Sequence, residues 1–262
     1  MSATDPTKMS NKSNGATPPL DQAVGKRTPQ QNLIAFLLPL IIFMFLSTLN
    51  PNFQGDETAP NAPNHYLWLI IIEVALISVV LAGFWKAYLS HFPIRIDYLG
   101  YCVGIIGFLA WIGICSLGLE RALMTAAGQP DLLPERAGFD PYFYFPNNPQ
   151  FTLFILFRFS LLSLIIPICE ELFLRGWLVR YVEDPQWETV RLSNVGWRGC
   201  LAVIIYAVLT HPAEAVAAIV WFSLVSWLMI KTGKFWNCVA AHAVTNLLLG
   251  LYVLWSQQWQ YW

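Results

Sequence analysis

From Phe151 to Ile168 the chain carries one charged side chain, Arg158, and it then runs unbroken into Cys169-Glu170-Glu171. A run of this length approaches the ~20 apolar residues that cross a hydrocarbon core. Two adjacent carboxylates are therefore committed to a helix that has not yet left the bilayer. Even on an insertion-based scale an ionised acid there costs ~3 kcal/mol, and neighbouring acids resist ionising together at low dielectric. On an α-helix Arg175 lies one turn beyond Glu171 and can pair with it, while Glu170 points about 100° away and can face a cavity. One anchored acid and one available acid suit general-base chemistry. A pair solvated at the membrane surface is the plainer alternative.

Composition agrees with a membrane reading. Of 262 residues, 56% are apolar and 12% charged, against about 25% charged in soluble domains. A net charge of −1 makes no case for nucleic acid, and twelve tryptophans suit interfacial belts. Cys102, Cys115, Cys169, Cys200 and Cys238 lie in apolar runs without CxxC spacing, so they read as small buried apolar residues.

Residues 1–31 are polar and read as a disordered cytoplasmic tail, followed by one membrane-embedded domain over 32–262. Seven spans are predicted, at about 33–49, 66–85, 98–119, 151–182, 199–211, 212–230 and 235–255. The fold class is thus an all-α polytopic bundle, with eight spans if a loop helix re-enters. Residues 50–65 and 120–150 read as loops, the second on the membrane surface, and His65 and His91 also fall in loops. The tightest part is Gly199–Ile230, which must make two passes in 32 residues. With seven spans, twelve basic residues from Lys8 to Lys234 share one side, and the opposite side receives Arg121 and Arg136. The positive-inside rule makes the N-terminus cytoplasmic.

Depth from that face brings polar residues together. At 1.5 Å per residue, Glu170 and Glu171 lie roughly 14 Å in, His211 roughly 19 Å and His242 roughly 12 Å, with Asn246 one turn deeper on the same face. Intramembrane ionisable groups are functional candidates by default. Taken singly, His211 before Pro212 reads equally as an interfacial residue, and His242 with Asn246 as hydrogen-bonding glue between helices. In the other half of the membrane, Arg158 and Glu73 share a depth of roughly 10 Å. They read as a buried ion pair clamping two spans on the opposite side of the bundle, with Glu214 as the alternative partner.

Three motifs resemble the CAAX-protease and bacteriocin-processing (CPBP) family of intramembrane glutamate endopeptidases: EExxxR, FxxxH and HxxxN. They stand here as Glu170-Glu171-Leu172-Phe173-Leu174-Arg175, Ala207-Val208-Leu209-Thr210-His211 and His242-Ala243-Val244-Thr245-Asn246. The second departs from the pattern, with Ala207 at the aromatic position and Tyr206 beside it. The resemblance covers about residues 150–255. The long loop and Trp-rich tail are similar to CAAX prenyl protease-related proteins found beside bacterial exosortase systems, which implies a bacterial inner membrane.

The resemblance implies hydrolysis of a peptide bond in a membrane-anchored or lipidated protein, without a cofactor. Glu170 would activate water with help from His211, and His242 and Asn246 would donate to the oxyanion. Glu171 would be the partner of Arg175, although the two acids adjoin and their roles can be exchanged. A rival uses the same atoms: Glu170, His211 and His242 would hold zinc and leave one position for water. A transporter or proton relay also uses intramembrane acids and histidines, and a non-catalytic immunity or chaperone-like protein would keep the fold.

Overall fold

A computed structural model describes residues 27–51, 53, 61–129, 132–133, 138–146 and 148–261. The expected tail lies outside these residues up to position 26. The chain forms α1 (Pro29–Ser47), α2 (Ala62–His91), α3 (Tyr98–Cys115), α4 (Leu119–Ala126), α5 (Pro141–Tyr144), α6 (Asn148–Ser160), α7 (Ile166–Glu171), α8 (Val179–Glu183), α9 (Trp197–Thr210), α10 (Ala215–Thr232) and α11 (Phe235–Ser256). Two π-helical turns, Leu161–Ile165 and Leu172–Leu178, sit between α6 and α7 and between α7 and α8. Together these make one rod, Pro149–Glu183. There is no strand among the described residues, and the polytopic all-α bundle is as expected.

Among the described residues the predicted seven passes resolve into six helices long and apolar enough to cross a membrane, plus the shorter α9. Its 14 residues reach only ~21 Å, short of the ~30 Å hydrocarbon core. The cause is local. His211 precedes Pro212, and a residue before proline is pushed out of the α region; His211 has φ −130° and ψ 56°. A 3₁₀ turn, Pro212–Glu214, then starts the return. Glu120 holds this elbow: its Oε1 accepts from the backbone N of Val216 at 2.8 Å, satisfying one of the donors that a helix start leaves open.

Other boundaries also move. The tail gives way to helix at Pro29, because Thr28 and Gln31 form a reciprocal capping box. His65 and His91 lie inside α2 and not in loops; the helix outruns its apolar stretch at both ends. Residues 120–150 are not all loop, since α4 and α5 fall there.

Packing sets where the C-terminal helix lies. α11 rests on α3, along Gly100, Gly104 and Gly107. A Cβ added at Gly104 would stand 2.7 Å from the Ala241 carbonyl oxygen, and one at Gly107 2.7 Å from the Trp221 ring. Small residues at this spacing let helix backbones approach closely. Thr245 Oγ1 takes advantage, donating to the Gly104 carbonyl at 2.9 Å.

The same helix pair is tied at its ends. Lys234 Nζ donates to Asp97 at 2.6 and 2.8 Å, and Asn237 Oδ1 accepts from the Asp97 backbone N at 2.8 Å. The hydrogen bond from Lys234 holds the Asp97 carboxyl below its ordinary value, against a smaller opposing effect of burial. A depressed acid contributes stability above its unfolded pKa, about 3.9, and loses it as pH falls through the folded value. Thermal melts of wild type and Asp97→Asn should therefore differ fully above about pH 5 and converge as pH drops below the carboxylate range. A difference independent of pH would mean that the carboxylate charge does not matter.

Candidate active site

The rod Pro149–Glu183 supplies both acids, and its two π turns bracket the segment Ile166–Glu171 that carries them. Such turns inside α-helices occur often at functional sites. Proline accounts for the first. The Ile166 N–H reaches back five residues to the Leu161 carbonyl, so the next bond in that register would run from Pro167 to Leu162. Pro167 has no N–H. The Asn246 side chain takes its place, its Nδ2 donating to the Leu162 carbonyl at 2.9 Å. One of the two amide hydrogens of Asn246 is thereby committed to α11's contact with the rod.

Arg175 and Glu171 are wholly buried. Arg175 Nη1 donates to Glu171 Oε1 at 3.0 Å, Nη2 to the Phe222 carbonyl at 3.4 Å, and the guanidinium lies 5.5 Å from the centre of the Phe222 ring. Glu171 Oε1 also meets His242 Nδ1 at 3.2 Å. Because the Arg175-bound carboxylate is acceptor-only, Nδ1 must carry the hydrogen. Nε2 of His242 faces the other acid, 3.7 Å from Glu170 Oε2. That gap exceeds direct hydrogen-bond range. A water standing off the line between the two atoms would reach both at ~2.8 Å.

Glu170 is the more accessible acid, with 12% of its side chain exposed against 0% for Glu171. Its Oε1 accepts from the Tyr206 hydroxyl at 3.0 Å. His211, at the α9 break, has Nδ1 2.9 Å from Thr210 Oγ1. The Thr210 hydroxyl donates to the Tyr206 carbonyl at 2.9 Å, so His211 Nδ1 is the donor and Nε2 of the neutral ring an acceptor. Its ring packs edge-on against Trp111 at 5.5 Å and tilted on Phe222 at 5.8 Å. Trp221 stands edge-on to His242 at 4.6 Å and donates Nε1 to Thr245 Oγ1 at 3.0 Å.

One cavity of about 720 Å³ is lined by Glu170, His211, His242 and Asn246, and also by Glu73 and Arg158. The last two thus share the cavity of the acids and histidines and do not lie behind it. Glu73 is buried, accepts from Ser47 Oγ at 3.4 Å, and feels the charge of Arg158. Among the described residues no group of three or more His, Cys, Asp or Glu side chains is disposed to hold a metal ion.

The sequence reading missed Tyr206 as a partner of Glu170 and missed the π turns. The first lay one position from the expected aromatic of the motif; Pro167, four residues before Glu171, was the signal for the second. Residues 152–248 match a family model described as Rce1-like, type II CAAX prenyl endopeptidase Rce1-like. No curated protein and no solved structure matches the chain.

Proposed function

We propose that the chain, whose residues 152–248 match the CAAX prenyl endopeptidase family model, is an intramembrane endopeptidase in which Glu170 activates water. The protein is an integral, multi-pass membrane protein, and its family is one of hydrolases. The observation that carries the reading is the arrangement of Glu170 Oε2 opposite His242 Nε2, 3.7 Å apart at the wall of a cavity large enough for a peptide segment.

In this mechanism Glu170 takes a proton from a water held in that gap, and the hydroxide attacks the scissile carbonyl. Nε2 of His211, an acceptor in the neutral ring, assists from across the cavity. The second amide hydrogen of Asn246 stabilises the oxyanion. His242, with Nδ1–H committed to Glu171, presents Nε2 as an acceptor and helps Glu170 hold the water. The proton held by Glu170 then passes to the leaving amine. Substrates are membrane-anchored or lipidated proteins cut near a terminus, entering laterally between helices. The N-terminus is cytoplasmic and the membrane a bacterial inner membrane; of the basic residues behind that orientation, Arg175 and Arg180 are buried, so the bias rests on the others.

Purified protein in detergent should cleave a peptide bond and keep its rate after zinc chelation. Comparing protein termini in membranes carrying wild type or Glu170→Ala should reveal the substrate. Stoichiometric metal whose removal stops cleavage and whose return restores it would replace this mechanism with zinc hydrolysis at Glu170, His211 and His242. Unchanged termini throughout would move the reading to a transporter.

A further inference from the structure

The resemblance assigns no role to Tyr206, yet its hydroxyl is the nearest donor to the available acid. We propose that Tyr206 is a positioning residue for the general base: it ties down Glu170 Oε1 and leaves Oε2 as the one oxygen presented to water. This deepens the reading of Glu170 given above and rests on it.

Four observations carry the proposal. The Tyr206 hydroxyl donates to Glu170 Oε1 at 3.0 Å. The other carboxylate oxygen, Oε2, is the one that faces His242 Nε2. The Tyr206 ring is fixed between Phe173 and Phe222, with centroids 5.7 and 6.0 Å away. Finally, Tyr206 lies in the last turn of α9, whose Thr210 bonds both the Tyr206 carbonyl and His211. One short helix end therefore places the donor to Glu170 and the second histidine together.

The physical effect is one of orientation. A carboxylate on a two-carbon stem can rotate and offer either oxygen, and each misplaced rotamer withdraws the base from the water. A phenol hydrogen bond to a carboxylate is charge-assisted, and in a site with little water it is not readily replaced. An aromatic at position 207 would not make it: Ala207 is wholly buried, pointing into the packed side of α9.

The polar groups around Glu170 are Tyr206 and His242 in its immediate neighbourhood, Glu171 with Arg175 behind it, and His211, Arg158 and Glu73 along the same cavity. Tyr206→Phe changes the first and leaves the others in place. It keeps the ring and its contacts and removes only the hydroxyl.

The test is steady-state proteolysis and thermal melting of Tyr206→Phe beside wild type and Glu170→Gln. We expect kcat to fall about 10- to 100-fold and KM to change less than about twofold because the substrate is not touched. The melting temperature should stay near wild type. Wild-type kcat alongside an inactive Glu170→Gln would overturn the proposal and leave the general-base reading standing. Loss of kcat together with a lowered melting temperature would assign Tyr206 to packing and overturn it equally. An active Glu170→Gln would remove both.

Discussion

Glu170→Gln is expected to lower peptidase activity by about 100-fold or more while the protein remains folded in the membrane. Glutamine keeps the volume of the side chain and can still accept from the Tyr206 hydroxyl through its amide oxygen, so the 3.0 Å contact survives. What is lost is the capacity to take a proton from water. The neighbour's behaviour separates this from a general effect of disturbing the acid pair. Glu171 is wholly buried and bound by Arg175 and His242, so Glu171→Gln should damage stability as well as rate. Glu170, at the cavity wall, should damage rate alone. Activity measured against the folded fraction distinguishes them. A fully active Glu170→Gln with an inactive but folded Glu171→Gln would show that the buried acid is the base.

This difference between the acids could be read in the sequence because a helix has a fixed period. Arg175 stands four residues after Glu171 and five after Glu170, which decides the pairing before any tertiary contact is known. Long apolar runs likewise decide the fold class. The remainder depends on contacts between distant parts of the chain. Nothing near Asn246 says that its amide will replace the hydrogen missing from Pro167, because the two meet only when α11 crosses the rod. The α9 break was half visible: His211-Pro212 marks a boundary, but only the Glu120 contact with Val216 shows how the elbow is held. Gly100, Gly104 and Gly107 were legible as a small-residue face and went unread. Arg158 and Glu73 line one cavity, but the side of the bundle they face follows from helix rotation, which residue counting does not supply.

Arg175→Ala is expected to be the most destabilising single change in the site. The guanidinium is 0% exposed and serves three neighbours at once: Glu171 Oε1, the Phe222 carbonyl and the Phe222 ring. Removing one member of a buried ion pair typically costs about 3–5 kcal/mol, because its partner stays behind uncompensated. Here that partner also holds His242 Nδ1 at 3.2 Å, so a Glu171 side chain no longer fixed by Arg175 would cease to hold the imidazole in its orientation. Activity should therefore fall even in whatever fraction remains folded. Arg175→Lys should rescue little: an ammonium can approach Glu171 or the Phe222 carbonyl but lacks the planar fork that reaches both. Arg175→Ala combined with Glu171→Ala should recover part of the lost melting temperature, since no bare carboxylate remains, and should recover no activity, since His242 then has no anchor. Melting temperatures and specific activities of the two single variants and the double variant in one detergent measure both effects. Additive losses of stability would mean that the two side chains do not depend on each other. A double variant regaining activity would mean that the Glu171–His242 contact does not position the histidine for the reaction.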